Sequence, residues 1–360
     1  MWLICPIAGV GKRLQPFTYS KPKAFLKIAG RRLIDHILIA LKRTFPEGSN
    51  LLFIVGYKKK LVTEYITSQY SDYFNLVFVE QEPLGYSAET PYFSGLGDAV
   101  LLAKDYAQGD DCFVFLSDRL PMEDYSQLLL RYHQGDCDGV INVKKVEKSQ
   151  LYGVTVLDAD KKYVTQIIEK PKQFVSEYAV AGAYLFGKSY STKLFQLLEA
   201  QSKIPLENGE EHTITSVIEQ LIKIGSKIAI NEMKSSILDF GHPETLLDGN
   251  QQLLSGLKND DPLYEELRSS KNIVASKIIP PVFIGNNVKI TDSVIGPNIS
   301  IGDDVHLYKC ILSESVIGDG ARLDKIITSK SIIGDYSILE DLIKNEITIG
   351  DSSYIASSNL

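Results

Sequence analysis

Short apolar runs and stretches of helical spacing alternate along the first 257 residues. The runs at 2–7 (WLICPI), 51–55 (LLFIV), 76–79 (LVFV) and 112–116 (CFVFL) are short and apolar on both faces, which predicts buried strands, and 140–143 (VINV) reads as another strand. Between them, 33–42 and 61–68 carry helical spacing, and 95–100 (GLGDAV) opens a helix predicted to run to about Tyr106. A further strand is predicted over 164–169, and a closing helix over 246–257. Strands alternating with helices predict a mostly parallel sheet covered on both faces, with ligands beyond the carboxyl ends of the strands.

A different pattern follows. The polar stretch 258–272 (KNDDPLYEELRSSKN) reads as a linker with a short helix. Ile301-Gly302-Asp303, Ile317-Gly318-Asp319, Ile333-Gly334-Asp335 and Ile349-Gly350-Asp351 then return every sixteen residues, preceded by Ile284-Gly285-Asn286. Six positions after each isoleucine another aliphatic returns: Ile290, Leu307, Leu323, Leu339 and Ile355. Ordinary alternating strands do not explain Gly-Asp at a fixed phase. A hexapeptide-type β-helix does, with one buried aliphatic per face of each short coil. The predicted organisation is an α/β domain over 1–257, a linker over 258–272 and a β-helix over 273–360.

Composition narrows the function classes. A net charge of −7 argues against a nucleic-acid binder, which carries a basic surplus. No apolar run approaches the ~20 residues of a membrane helix. The start MWLICPIAG has no basic leader, so a cytoplasmic location is expected. Cys5, Cys112, Cys137 and Cys310 lack CxxC spacing and read as reduced, mostly buried thiols. His36, His133, His212 and His306 show no metal-ligand spacing.

The candidate chemistry begins where the first strand breaks into Gly9-Val10-Gly11-Lys12-Arg13. Two glycines can turn backbone amides toward a phosphate, and Arg13 adds a guanidinium fork for phosphate oxygens. Gly-x-Gly alone also describes an ordinary turn. Its combination with Arg13 and the second cation of Pro22-Lys23 is far more specific. A Walker A loop requires Ser or Thr at position 13, and a dinucleotide fingerprint requires glycine at 14, which is Leu14. Asp118, at the end of the 112–116 strand, is either a turn or cap residue or a magnesium ligand. Glu169-Lys170-Pro171 closes the 164–169 strand and, taken alone, reads equally well as a solvated turn.

Together these residues resemble the sugar-phosphate nucleotidyltransferases. That family's signature, an apolar strand, G-x-G-[TS]-R-L-x-P-x-T and then P-K, appears as residues 9–18 (GVGKRLQPFT) and Pro22-Lys23, with Lys12 in place of a small hydroxyl residue. In the family's order come Gly95-Leu96-Gly97-Asp98-Ala99, Ser117-Asp118 for G-D, Tyr152-Gly153, Glu169-Lys170-Pro171, and Leu238-Asp239-Phe240-Gly241-His242-Pro243 for W-x-D-x-G-[TH]-P. Gly85-Tyr86-Ser87-Ala88 competes with Gly95 for the base-reading segment; the resemblance also implies a strand over 181–186 and the family's E-x-x-[IL]-T-D helix over 210–221, with Ser216 where the family has aspartate.

The resemblance implies a Rossmann-like nucleotidyltransferase domain with a mixed, mostly parallel sheet, followed by a left-handed parallel β-helix. It implies Mg²⁺-dependent transfer from an NTP (UTP or dTTP favoured) to a sugar 1-phosphate (glucose favoured). The implied nucleotide contacts are Ala8, Gly9, Gly11, Lys12, Arg13, Gln81 and Gly95; the sugar-phosphate contacts are Gly153, Glu169 and Lys170. Asp118 and Asp239 would bind the metal, while Arg13, Lys23 and Lys170 would carry the charge stabilisation. His242 reads as structural. A homo-oligomer is expected, with the β-helix as an assembly or regulatory module apart from the active site. The alternatives are a mannose-1-phosphate guanylyltransferase and a non-catalytic nucleotide-sugar sensor; an acyltransferase β-helix is weak, since His306 is its only histidine and no loop interrupts the repeat.

Overall fold

The computed structural model describes residues 1–207, 210–256 and 272–356. It contains two compact units: Met1–Val10 with Ile37–Ile237, and Gly11–His36 with Leu238–Leu360. The first residues after the opening strand therefore belong to the first unit, and the rest of the signature folds with the β-helix.

In the first unit, Trp2–Pro6 runs parallel to Asn50–Val55 and Cys112–Phe115, and Asn50–Val55 runs parallel to Asn75–Glu80. Tyr178–Phe186 continues the sheet antiparallel to Cys112–Phe115 and also pairs with Gly139–Lys145 and Gly153–Leu157. The sheet is mixed as expected, and its parallel half carries the opening loop. Its core side chains are the apolar runs of the sequence: Ile4, Leu52, Ile54, Val114, Ile141 and Tyr184 are all at most 3% exposed. Burying each such aliphatic side chain contributes about 1.5–3 kcal/mol, which is why uniformly apolar runs take central strands.

Two predicted elements differ, and one unpredicted element appears. The helix expected to reach Tyr106 stops at Leu101 and restarts as Lys104–Ala107. Leu102 and Ala103 donate to Ala99 O and Val100 O, tightening the last turn and ending the first helix. Residues 210–212 are not helical: the helix is Ile214–Lys223, and Thr213 caps it by accepting from the Ser216 N–H at 3.2 Å. The stretch 81–94 contains a hairpin, Gly85–Ser87 with Thr90–Tyr92, turned through Ala88 and Glu89 in the left-handed region. The expected linker lies outside the described residues except for Asn272.

The second unit contains the parallel β-helix, with three faces of short strands. The first two coils, Ile273 to Ile290 and Ile290 to Leu307, hold seventeen residues; the later ones, Leu307 to Leu323, Leu339 and Ile355, hold sixteen. The extra residue falls where the chain turns at Pro280-Pro281 and Gly296-Pro297. Corner residues adopt left-handed backbone in rows, such as Asn287, Asp304, Tyr336 and Ser352, or Asp292, Lys309, Lys325 and Asp341.

The fixed Gly-Asp phase has a direct cause. Asp303 Oδ1 accepts from Asn286 N–H at 2.8 Å, Asp319 Oδ1 from Asp303 N–H at 2.9 Å, Asp335 Oδ1 from Asp319 N–H at 3.0 Å, and Asp351 Oδ1 from Asp335 N–H at 2.8 Å. Each aspartate thus satisfies a backbone donor of the coil before it. The preceding glycine lets the coils approach: a Cβ at Gly318 would lie 2.5 Å from Asp335 N and 2.7 Å from Gly334 C. Gly318→Ala is accordingly expected to destabilise this unit by about 1–3 kcal/mol, the usual cost of overpacking. Thermal unfolding followed by circular dichroism checks this, and an unchanged midpoint would contradict it.

Residues Gly11–His36 are fastened to the β-helix. Lys27 Nζ bridges Asp303 Oδ2 at 3.1 Å and Asp319 Oδ2 at 2.7 Å. Burial opposes the charge on Lys27, but Asp319 and Asp303 outweigh it and raise its pKa; burial likewise opposes the Asp303 carboxylate, whose pKa is nevertheless lowered by the Asn286 amide and Lys27. A lowered acid contributes stability above its unfolded pKa, about 4, and a raised amine contributes below its own, about 10.4. The contribution should therefore be full between those limits. It is lost as pH falls through the folded Asp303 value or rises through the folded Lys27 value. The difference in thermal midpoint between wild type and Lys27→Met should be constant near neutrality and shrink in acid. A difference independent of pH into strong acid would contradict the pairing.

Candidate active site

In the first unit the carboxyl ends of the parallel strands collect the expected residues. Tyr57 N–H donates to Ala8 O at 3.0 Å, Gln81 N–H to Val55 O at 2.8 Å, and the Ser117 hydroxyl to Pro6 O at 3.3 Å. Gly9 is exposed, and a Cβ there would meet nothing within 4 Å, so its backbone faces open space. Gln81 Nε2 donates to Gly95 O at 3.3 Å, joining two expected nucleotide contacts. The Gly95 segment is anchored on the other side, where His212 N–H donates to Ser94 O at 2.8 Å and Gly97 N–H to His212 O at 2.7 Å. His212 itself is fixed between Asp98 Oδ2 at 2.9 Å and Ile204 O at 3.0 Å. Gly85, in contrast, is a hairpin residue.

Asp118 follows the fully buried strand Cys112–Phe115 and is half-buried. No helix begins there; the chain continues into the short strand Arg119–Pro121. Burial first, then the Asp118 charge, pushes the Cys5 thiol well up. Burial also raises the Tyr184 phenol, with Glu169 and Asp118 adding and Arg119 opposing. Three charged groups from two parts of the chain, Glu169 and the adjacent Asp118 and Arg119, thus act on Tyr184.

The residues expected to contact the sugar phosphate pair directly. Gly153 lies opposite Glu169 in the antiparallel register, and Lys170 N–H donates to Tyr152 O at 3.0 Å. Glu169 Oε2 accepts from the Thr215 hydroxyl at 3.0 Å, and Glu169 Oε1 lies 3.6 Å from Lys170 Nζ. Lys170 has φ 41°, a left-handed conformation costly for lysine, which turns the chain directly after Glu169. Sequence reading missed two neighbours. Arg119 stacks on the Tyr152 ring, 4.8 Å from its centroid, and Thr215 orients Glu169. Arg119 had a signal, since it directly follows Asp118; Thr215, in a helix 46 residues from Glu169, had none.

In the second unit Gly11 has φ 73°, and a Cβ there would lie 2.8 Å from Lys23 Cβ. Its carbonyl accepts from Leu14 N–H at 2.9 Å and from the Thr18 hydroxyl at 3.1 Å. Lys12 and Arg13 are exposed on a single helical turn, and Lys23 follows Pro22 half-buried. Asp239 ends the strand Ile237–Asp239, half-buried, and His242 caps the helix Pro243–Ser255, the structural role expected for it. Gly11, Lys12, Arg13 and Lys23 all belong to the same compact unit as the β-helix. Among the described residues no three His, Cys, Asp or Glu side chains cluster as a metal site. Carboxylates such as Asp118 and Asp239 are the hard oxygen donors that Mg²⁺ takes one or two at a time, with phosphates completing its shell. Among the described residues no helix is long and apolar enough to cross a membrane.

The sequence matches the nucleotidyl transferase family over residues 7–256, and the chain belongs to that family. It is 31% identical over 253 residues to the bifunctional protein GlmU of Methanocaldococcus jannaschii, covering 70% of this chain and 54% of that protein. It is 26% identical over 248 residues to the UTP–glucose-1-phosphate uridylyltransferase AglF of Haloferax volcanii, covering 68% of this chain and 93% of that one. A UDP-glucose pyrophosphorylase structure from Acinetobacter baumanii shares the fold, with a TM-score of 0.58, 21% identity and coverage of 74% of this chain and 97% of that one. The chain spans 54–61% of the length of the first three GlmU relatives. Nucleotidyltransferases of this family generally use a divalent metal.

Proposed function

We propose that the chain transfers a nucleotidyl group from an NTP, with UTP or dTTP favoured, to a sugar 1-phosphate, with glucose 1-phosphate favoured. A phosphate oxygen of the sugar phosphate attacks the α-phosphorus in line, the bond from that phosphorus to the bridging oxygen breaks, and pyrophosphate leaves. A phosphate dianion is already nucleophilic, so the protein supplies positioning and charge rather than a base. The observation that carries this reading is the pairing of Gly153, Glu169 and Lys170 in the unit that also places Gly9 and Asp118 at the strand ends.

In this reading Ala8, Gly9, Gly11 and Lys12 line the nucleotide phosphates, and Gln81 and Gly95 approach the base. Arg13 and Lys23 neutralise the departing pyrophosphate. Lys170 holds the attacking phosphate, and Glu169 accepts from sugar hydroxyls. Asp118 and Asp239 are the assigned magnesium ligands; bound there, the ion would offset phosphate charge. The uridylyltransferase relative favours UTP and glucose 1-phosphate. The test is pyrophosphate release from five NTPs against the 1-phosphates of glucose, galactose, mannose and N-acetylglucosamine. One NTP–sugar pair should dominate; release with GTP and mannose 1-phosphate would move the assignment to the guanylyl branch.

A further inference from the structure

The segment Gly11–His36 follows the β-helix coil by coil. Pro16 packs on Gly350, the Ser20 hydroxyl bonds Asp351, Lys21 pairs with Asp335 and with Asp351 Oδ2 at 3.0 Å, and Lys27 bridges Asp303 and Asp319. Ala29 N–H then donates to Ser300 Oγ at 3.1 Å and to Asn250 Oδ1 at 2.9 Å, and Gly30 lies against the Phe283 ring. The track thus runs from the last coil back to the first. Lys23, the cation assigned to pyrophosphate, lies between the two lysines that make these ion pairs.

We infer that the aspartate row of the β-helix is a positioning device for the phosphate loop, acting through Lys21 and Lys27 on the backbone that carries Lys23. The inference rests on the proposed role of Lys23. The row is suited to this because each carboxylate is already oriented: Oδ1 is engaged by a backbone N–H of the preceding coil, and Oδ2 faces the lysines. Neighbouring rungs of a sheet lie about 4.8 Å apart, so four stacked carboxylates repel one another unless cations bridge them. Lys27 bridges one adjacent pair and Lys21 the next. The Lys21 side chain is only 17% exposed, so its position is set by these partners rather than by solvent.

From Lys21 the constraint reaches Lys23 through one residue, Pro22, which is buried and has φ −65°. Lys23 Cβ in turn closes against the left-handed Gly11. The lever is short and has one stiff joint. Lys21, Lys27, Asp319 and Asp335 are therefore positioning residues. The β-helix thereby orders, within its own unit, the segment that carries Lys23, rather than serving only assembly.

The test uses the full chain carrying Lys21→Met, Lys21→Arg, Asp335→Asn or Lys23→Ala. Asn keeps the side-chain oxygen that accepts from the Asp319 N–H and removes only the charge. Amide exchange over residues 11–23 reports positioning independently of chemistry; the reverse reaction gives the KM for pyrophosphate, and calorimetry gives NDP-sugar affinity. Lys21→Met and Asp335→Asn should speed exchange over 11–23 and raise the pyrophosphate KM about tenfold, within the loss that a 1 Å misplacement can bring. NDP-sugar affinity should be unchanged, and Lys21→Arg should behave as wild type. Wild-type exchange and pyrophosphate KM in both variants would overturn the inference, as would equal weakening of both ligands with a lowered melting midpoint. If Lys23→Ala raises the pyrophosphate KM and Lys21→Met does not, only the positioning role falls. If Lys23→Ala leaves it unchanged, the phosphate reading of Lys23 falls and the inference with it.

Discussion

Asp118→Asn is expected to remove nucleotidyl transfer, lowering turnover by at least the roughly 10²–10³ that one preorganised electrostatic contact supplies. The side chain follows four fully buried strand residues and is half-buried, where a carboxylate is costly unless it is engaged. Its charge is felt at Cys5 and at Tyr184, beside the charges of Glu169 and Arg119. Asparagine has nearly the same shape but offers a cation one neutral oxygen in place of a charged pair. The fold should survive and NDP-sugar should still bind. Pyrophosphate release, circular dichroism and product calorimetry on one preparation check all three. Near-normal turnover would take Asp118 out of the metal site.

Lys23→Ala should lower turnover far more than it weakens NDP-sugar binding. Its ammonium is assigned to oxygens that leave as pyrophosphate and gain charge in the transition state, so the contact should strengthen as the reaction proceeds. The NDP-sugar product lacks the γ-phosphate and should hardly register the loss. Lys23 Cβ also closes against Gly11, so alanine keeps that contact and removes the rest of the stem. Lys23→Met, which keeps an apolar stem, separates packing from charge and should match alanine in turnover. Equal losses in turnover and product binding would favour a nucleotide-sugar sensor, and Lys12, in place of a small hydroxyl residue, would be the first substitution to examine.

The sequence made the strands legible because uniformly apolar runs such as 112–116 have few alternatives to a central strand. It made the repeat legible because Gly-Asp recurs at a fixed phase. It did not disclose what the aspartates do with their second oxygens. Lys27 and Asp319 are 292 positions apart, and periodicity reports only what is near along the chain. The same limit hid Thr215 behind Glu169. Sequence order also suggested that the signature was one object, whereas Gly9 folds with the sheet and Gly11 to Lys23 with the β-helix. The helix expected over 96–106 failed for a local reason, a tightened turn at Leu102 and Ala103 that apolar spacing does not show.

The central claim is the transfer of a nucleotidyl group, and the fate of isotopic label tests it most directly. With sugar 1-phosphate and a divalent cation present, α-labelled NTP should yield labelled NDP-sugar, and γ-labelled NTP should yield labelled pyrophosphate with none on the sugar. Label from the γ-position on the sugar, or tight nucleotide-sugar binding with no transfer of α-label from any NTP, would contradict the account.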